Sequence, residues 1–234
     1  MSNSIHDNPS GGILLYGAGN NNQPAPSLTA ATFNPATGQA TITGSLQAVA
    51  NTAFLVQFFS NPAGTSQGAT YLGSLSVTTD GSGNATFSFT PPSSVAAGLN
   101  ITATATDPNG NTSQFSAPAT VNTATVDVTS DLSVTFGGFV YNRTTRQFTQ
   151  TLTIANISGS AISGPIELVF LNLKNATLVN QSGTYQGSPY ITILSSGSLG
   201  VGQSVSITVV FNDPTLAAIR YTFEFLAGPI PTQD

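Results

Sequence analysis

The 234-residue chain contains four basic and nine acidic residues, which gives a net charge of −5, and only 6% of its residues are charged. So few cations exclude a nucleic-acid binder and a polybasic membrane-binding surface, because both need clustered Lys and Arg. The absence of cysteine excludes disulfides and thiolate metal sites, and no apolar run approaches the roughly 20 residues that span a bilayer.

Residues 1–25 differ in composition from the rest of the chain. An Asn-containing segment, 3–8, is followed by the apolar sequence Gly-Ile-Leu-Leu at 12–15, and a polar run covers 17–23. Short apolar strands between Asn- and Gly-rich corners are typical of a right-handed parallel β-helix, in which a single rung cannot bury its own face. Two interpretations stay open for residues 1–25: an irregular leader, or the last rung of a β-helix.

Residues 26–122 are predicted to form a first all-β module. Apolar and hydroxyl side chains alternate along 40–46, and Phe87 and Phe89 share one face of a later segment. Turn sequences rich in Asp, Asn and Gly separate such segments. Short strands at near-regular spacing over about 100 residues are typical of a β-sandwich. The predicted strands are 27–33, 39–46, 53–60, 70–77, 85–90, 100–106 and 113–120.

Residues 123–234 are predicted to form a second module of the same class. Alternation again gives apolar faces, for example Val205, Ile207 and Val209 on one strand, and two such faces interdigitate in a sandwich core about 10 Å thick. The linker at 122–124 is too short for a flexible tether, which predicts a stiff end-to-end arrangement. The predicted strands are 132–136, 147–155, 166–172, 177–180, 190–194, 204–211 and 220–226.

Several sequence motifs connect the two modules to known families. The first module resembles the immunoglobulin-like domains that follow β-helix regions in large bacterial surface proteins, through 44–46, 54–59, 71–73, 78–84 and 101–116. Within the last of these, Ala-Thr-Asp-Pro-Asn-Gly-Asn-Thr-Ser at 105–113 is similar to the closing strand motif of many adhesin repeats.

The second module is similar to the immunoglobulin-like or fibronectin-like domains of bacterial exoproteins, through 153–156, 164–166, 187–190 and 199–204. The resemblance covers nearly the whole chain. It implies an all-β fold of two tandem immunoglobulin-like (fibronectin-like) β-sandwiches, at 26–122 and 123–234. It also implies an extracellular or cell-surface location. Other domains of the parent surface protein are expected as partners, and the export signal is expected to lie outside this chain.

A structural calcium ion is the best site hypothesis that the sequence offers. Oxygen ligands spaced two residues apart on a turn can converge on a hard cation, and Asp107, Asn109 and Asn111 have that spacing. So do Asp80, Ser82 and Asn84. The alternative is a plain turn in which Asp and Asn cap their own backbone.

A calcium site at the junction between the modules is a further hypothesis. In the adhesin repeats that the chain resembles, calcium often lies near module junctions. Asp127 and Asp131, just past the linker, would complete such a site with Asp107. No other cofactor is expected.

Catalytic chemistry has few candidate residues. His6 is the single histidine and lies in the irregular leader, so an exposed polar role is expected. Glu167 and Glu224 are the two glutamates, and their apolar neighbours on either side predict that both point outward from a strand. Lys174, the one lysine, is followed by Asn175 in a predicted loop, which argues against an intramolecular Lys–Asn bond. The chain is therefore predicted not to be an enzyme.

Three functions remain open from the sequence. The first is a non-catalytic stalk of a secreted or cell-surface protein. The second is an adhesive module that binds a host, matrix or glycan ligand, by loops or by strand addition. The third is a subunit of an extracellular fibre or surface layer that assembles by edge-strand pairing. An exposed aromatic patch in loops would favour the second function. No nucleic-acid partner and no membrane insertion are expected.

Overall fold

A computed structural model describes residues 3–231 and confirms the all-β class. Its helical structure within this range is limited to two short 3-10 segments, Gly19–Asn22 and Thr129–Asp131. Backbone contacts divide the chain into two compact units. Unit 1 comprises the chain up to Phe33 together with Gln39–Thr123, and unit 2 comprises Asn34–Gly38 together with the chain from Ala124 onward.

Unit 1 contains one seven-stranded sheet. Its strands are β1 (Ser27–Asn34), β2 (Gln39–Gln47), β3 (Ala53–Asn61), β4 (Thr70–Thr78), β5 (Asn84–Phe89), β6 (Asn100–Thr106) and β7 (Ala119–Thr123). The spatial order is β4-β3-β6-β7-β1-β2-β5. The pairs β4–β3, β3–β6, β6–β7 and β2–β5 are antiparallel. In contrast, β1 and β7 run parallel, with Ala31 opposite Val121 and Phe33 opposite Thr123.

The sheet of unit 1 folds back on itself around an apolar core. Phe58 on β3 lies 4.3 Å from Phe89 and 5.6 Å from Phe87 between ring centroids, although β3 and β5 are far apart in the strand order. The alternation read from the sequence supplies this core, because each strand turns every second side chain inward. Its largest fully buried side chains are Ile42, Leu46, Phe54, Phe58 and Ile101.

The last strand of unit 1 lies further along the chain than the predicted 113–120. Residues 113–118 run beside β6 without forming a regular strand, because two serine side chains take part in the pairing. Ser113 Oγ accepts the N–H of Ala105 at 2.9 Å, and Ser116 Oγ accepts the N–H of Ala103 at 3.0 Å. Regular pairing resumes only after Pro118, where β7 begins.

The N-terminal segment lies against the β3–β4 loop. Ile5 and Gly68 exchange two backbone hydrogen bonds of 2.8 and 2.7 Å, and the side-chain amide of Gln67 donates to the carbonyl of Asn8 at 2.8 Å. The loop is itself held by the buried Asn61 and Asn100, whose amides bond Ala69 N–H and Thr65 O. Residues 3–25 therefore form one isolated bridge and a 3-10 segment, and the β-helix interpretation stays a prediction.

Unit 2 contains two five-stranded sheets and a short two-stranded one. The strands are β8 (Val126–Asp127), β9 (Leu132–Phe136), β10 (Val140–Asn142), β11 (Gln147–Asn156), β12 (Ile162–Ser163), β13 (Ile166–Lys174), β14 (Thr177–Leu178), β15 (Gly183–Tyr185), β16 (Ser188–Leu194), β17 (Ser198–Leu199), β18 (Ser204–Asn212) and β19 (Arg220–Ala227). One five-stranded sheet has the order β10-β11-β18-β14, with β9 beside β11, and the other has the order β15-β16-β13-β19-β8.

Both five-stranded sheets of unit 2 contribute to one core. Leu152 and Ile154 of β11 and Phe211 of β18 come from the first sheet, whereas Phe170 and Phe225 come from the second. Phe170 and Phe211 meet edge to face at 6.0 Å between centroids. All seven predicted strands of this module are present, and β8, β10, β12, β15 and β17, each of two or three residues, were too short to show a period.

Residues 3–231 contain no helix with the length and apolarity that a bilayer crossing requires.

Adjacent residues on β3 provide a matched test of the core. Phe54 is buried, whereas Leu55 is largely exposed. We expect Phe54→Ala to lower the free energy of unfolding by about 3–5 kcal/mol, because it removes a fully enclosed ring and leaves a cavity. Leu55→Ala is expected to change it by about 0.5 kcal/mol. Urea denaturation of both variants measures the difference, and equal losses would place the core of unit 1 elsewhere.

Candidate functional site

The predicted calcium ligands at 107–111 form a self-capping turn. Asp107 Oδ1 accepts the backbone N–H of Asn109 at 2.9 Å and that of Asn111 at 2.8 Å. Asp107 Oδ2 accepts the side-chain amide of Asn111 at 2.7 Å. These donors hold the pKa of Asp107 below its usual range, with the Asn111 side chain as the largest cause. The arrangement stabilises the ionised carboxylate without a metal.

The second predicted turn, 80–84, is built in the same way. Asp80 Oδ1 accepts the N–H of Ser82 at 2.8 Å and that of Asn84 at 2.9 Å, and these backbone donors lower its pKa. Gly83 supplies the positive φ that the turn needs, and its N–H bonds the carbonyl of Asp80.

The remaining predicted ligands, Asp127 and Asp131, belong to unit 2, whereas Asp107 belongs to unit 1. Asp127 Oδ1 caps the N–H of Thr129 at 2.8 Å. Within the described part of the chain, no three His, Cys, Asp or Glu side chains are grouped so that they could hold a metal. At 107–111 the Asn111 amide directs a nitrogen donor, not an oxygen, toward the carboxylate. Both turns are closed by their own hydrogen bonds, and the calcium hypothesis stays a prediction.

His6 has one acidic neighbour, Asp7. Its Nδ1 lies 2.6 Å from Asp7 Oδ2, and both side chains are exposed. The pair borders a cavity of about 380 Å³ that Asn61, Thr65 and Thr70 also line. The Thr65 hydroxyl donates to the carbonyl of Pro62 at 2.8 Å, so it is turned to the backbone and not to the imidazole. A serine or threonine nucleophile needs a hydrogen bond from its hydroxyl to the imidazole.

Glu167 points away from the unit 2 core as expected, but its side chain does not reach solvent. It alternates with the core residues Leu168 and Phe170, yet it is only 6% exposed, and its Oε2 has no hydrogen-bond partner. Burial raises its pKa, and a hydrogen bond with the Thr192 side chain offsets part of that rise.

Glu224 lies on the neighbouring strand and on the same face, because it is opposite Val169 in the β13–β19 register. Burial and the nearby charge of Asp127 both raise its pKa. Three carboxyl groups therefore share one face of this sheet. The buried position of Glu167 keeps its carboxyl from an external substrate, so the arrangement does not resemble the open acid pair of a glycosidase.

A cluster of exposed aromatic residues is the feature that the sequence analysis missed. Phe136, the last residue of β9, and Phe139, in the segment between β9 and β10, are 47% and 42% exposed. Together with Tyr221 and Phe223 of β19 they line a concavity of about 270 Å³, which we name the aromatic cleft. Gln150, Ile219 and Arg220 complete its lining.

Hydrogen bonds fix the floor of the aromatic cleft. The Tyr221 hydroxyl donates to Gln150 Oε1 at 2.7 Å, and Gln150 Nε2 donates to the carbonyl of Gly137 at 2.9 Å. Gly137 N–H also bonds Thr151 O at 2.8 Å. Burial raises the pKa of Tyr221 to about 12, so its hydroxyl stays a donor at any physiological pH. The buried Gln150 amide thus holds the loop that carries Phe139 against β11 of one sheet and β19 of the other.

The four basic residues of the chain lie at the same end of unit 2. Arg143 and Arg146 are in the turn between β10 and β11, and Lys174 pairs with Arg220 where β13 ends and β19 begins. The strand register places these two pairs of basic residues at the same end. Phe148, two positions after Arg146, is opposite Phe211. The next residue, Asn212, is opposite Thr177, three positions after Lys174. We name this the basic end, and it includes the aromatic cleft through Arg220.

Comparisons with known proteins add little. No protein-family model and no curated protein sequence matches the chain. Among solved structures, the crystal structure of red sea bream transglutaminase aligns with a TM-score of 0.32 and 10% identity, over 81% of this chain and 27% of that one. A likeness of that size carries no argument about fold or function.

The turn geometry at Asp107 predicts the effect of calcium and of pH. We expect the melting temperature to be the same in calcium and in EDTA, and Asp107→Ala to lower it equally in both. The hydrogen bonds to the ionised Asp107 carboxylate stabilise the folded chain. Because the folded-state pKa of Asp107 lies below its unfolded value, this stabilisation is present at neutral pH and is lost as the pH falls through the folded-state pKa. Asp7→Ala is the charge-matched control, since Asp7 is exposed and belongs to none of the predicted calcium sites. A calcium-dependent rise that Asp107→Ala abolishes would restore the metal site.

Glu167 predicts a pH dependence of the opposite sign. Its folded-state pKa is raised, so the buried carboxylate destabilises the protein at high pH, and the free energy of unfolding rises as the pH falls through that pKa. We expect Glu167→Gln to flatten this part of the curve in urea denaturation at pH values above 4.5, the ordinary pKa of this carboxyl. Glu224→Gln, at the more exposed neighbouring position, should flatten it less. An unchanged curve for Glu167→Gln would mean that its carboxyl titrates as if in water.

Proposed function

We propose that this chain is a non-catalytic structural segment, a stalk of two immunoglobulin-like β-sandwich modules in a secreted or cell-surface protein. The observation that carries the proposal is the parallel pairing of β1 with β7, the first and last strands of unit 1. These two strands are the points at which the chain enters and leaves the folded sheet.

The direction of the pair determines how unit 1 responds to tension. A pull on the start of β1 and on the end of β7 drives two parallel strands in opposite directions along their length. The hydrogen bonds between them lie across the strands, so they are loaded together rather than one after another. A module with this arrangement resists extension, which is the mechanical requirement of a stalk.

The use of polar side chains agrees with a structural role. Asp80 and Asp107 cap turns, while Ser113 and Ser116 take the place of backbone partners along β6. In unit 2 the buried Asn156 holds the carbonyls of Ser160 and Leu199, each at 2.8 Å. These groups satisfy buried or turn backbone.

Ligand binding is a second candidate function, and the exposed aromatic side chains at 136–141 favour it over fibre assembly. Aromatic residues in loops are enriched at recognition surfaces, where they supply contact area at low entropic cost. Edge-strand assembly has no comparable support and stays a prediction.

Force spectroscopy on the full chain tests the stalk proposal, and the absence of native cysteine gives unique attachment points. We expect the chain pulled through Ser27→Cys and Thr123→Cys to unfold unit 1 at a several-fold higher force than the chain pulled through Asn34→Cys and Thr123→Cys. The first pair shears β1 against β7, whereas the second separates their adjacent ends one bond at a time. Equal forces in the two geometries would contradict the proposal.

A further inference from the structure

We propose that the basic end of unit 2, with its aromatic cleft, binds an acidic polysaccharide, a polymer of sugars that carry carboxylate or sulfate groups. The inference deepens the ligand-binding alternative and does not depend on the tension-bearing role. The class of ligand follows from the charge of the basic end, the exposure of its cations and the shape of the aromatic cleft.

Charge is segregated along unit 2. All four Lys and Arg residues lie at the basic end, and the nearby ranges 137–149, 172–190 and 211–223 contain a single acidic residue, Asp213. Asp213 is buried, and its Oδ1 accepts the N–H and hydroxyl of Thr215 at 2.9 and 2.8 Å. Asp127, Asp131 and Glu167 lie at the opposite end of the unit. Glu224 lies between the two ends and follows Phe223 directly, so strand alternation turns it to the face of β19 opposite Phe223. The basic end is thus locally cationic on a protein whose net charge is −5.

The cations are available for a ligand. Arg143, Arg146, Lys174 and Arg220 are all exposed, and none of them forms an ion pair with another described residue, where His6–Asp7 is the sole such contact. At physiological ionic strength charges act over about 8 Å, so the distant carboxylates do not cancel this surface. A guanidinium also binds carboxylate and sulfate-like groups with two parallel hydrogen bonds.

The aromatic cleft has the shape and surface that a sugar ring needs. Phe136 and Phe223 lie 5.7 Å apart between centroids, and Phe139 contacts Phe211 at 5.8 Å. The C–H groups on a pyranose face carry partial positive charge, and aromatic faces are negative. A ring lying on Phe136 or Phe139 would place its acidic group toward Arg220, which lines the same concavity.

The loops around the cleft are held in place before any ligand arrives. Asn175 Nδ2 donates to the carbonyl of Ala218 at 2.7 Å, which ties the β13–β14 connection to the β18–β19 loop. Asn142 Oδ1 caps the N–H of Thr144 at 2.9 Å in the turn that carries both Arg143 and Arg146. A preformed site loses little ordering entropy on binding.

Two other anionic partners fit less well. A membrane would require convex apolar side chains that enter the bilayer, whereas Phe136 and Phe139 border a concavity that also contains Gln150 and Arg220. A nucleic acid carries one phosphate every 3.4 Å along a strand. Four cations on a chain of net charge −5, of which Arg220 alone lines the cleft, are fewer than such a backbone needs.

The test is titration calorimetry of the full chain at low salt with a hexagalacturonate and a heparin hexasaccharide. Vesicles of phosphatidylglycerol and an oligo-dT strand are run in parallel. We expect binding of at least one acidic saccharide, weakened at least tenfold by Lys174→Gln/Arg220→Gln. Phe139→Leu keeps an apolar side chain but removes the ring face, and it should also weaken binding at least tenfold without loss of melting temperature.

The matched control is Gln47→Glu/Gln114→Glu. It changes the net charge by the same two units through exposed residues of unit 1, and it should leave affinity within twofold. Three results would overturn the proposal: a folded chain that binds neither saccharide, equal losses in the control and the cation variant, or binding of vesicles or oligo-dT that the saccharides do not displace. Force spectroscopy is unaffected by any of them, so the stalk proposal stands or fails separately.

Discussion

The burial of every second side chain along antiparallel strands is the constraint on which the rest of this structure depends. The chain has little charge and no disulfide, so its stability must come from apolar faces closed against one another. In unit 1 a single sheet folds back until Phe58 stacks on Phe89, and in unit 2 two sheets close over Phe170 and Phe211. The strands that enclose each core determine which sheet edges and which loops stay exposed to solvent.

Amide and hydroxyl side chains carry much of the connectivity that charges provide in other proteins. Asn61 and Asn100 hold the β3–β4 loop, Asn156 holds the turn after β11, and Gln150 links Gly137 to Tyr221. Each is buried or nearly so and has partners for its amide. This use of neutral groups leaves the few ionised residues distinct in role: Asp80 and Asp107 cap turns, Glu167 is buried at a cost, and the four cations face solvent.

The two functional proposals rest on different units. The stalk proposal rests on the parallel β1–β7 pair of unit 1, whereas the ligand proposal rests on the basic end of unit 2. A stalk that also binds acidic polysaccharide would combine extension with attachment. Both properties rest on strand order, since it determines which strands carry load and which residues meet at an end.

The sequence by itself determined the all-β class and the positions of most strands. Alternation and turn residues act over a few neighbours, so β6 at Asn100–Thr106 and β9 at Leu132–Phe136 were predicted residue for residue. It also indicated that 107–111 is a turn, leaving capping and calcium as alternatives.

Only the tertiary structure decided that Glu167 is buried while Glu224 is not, although both have similar neighbours in sequence. It alone brought Arg143, Arg146, Lys174 and Arg220 to one end of unit 2, because that juxtaposition depends on pairings between residues up to 63 positions apart. Such contacts leave no local periodicity to read.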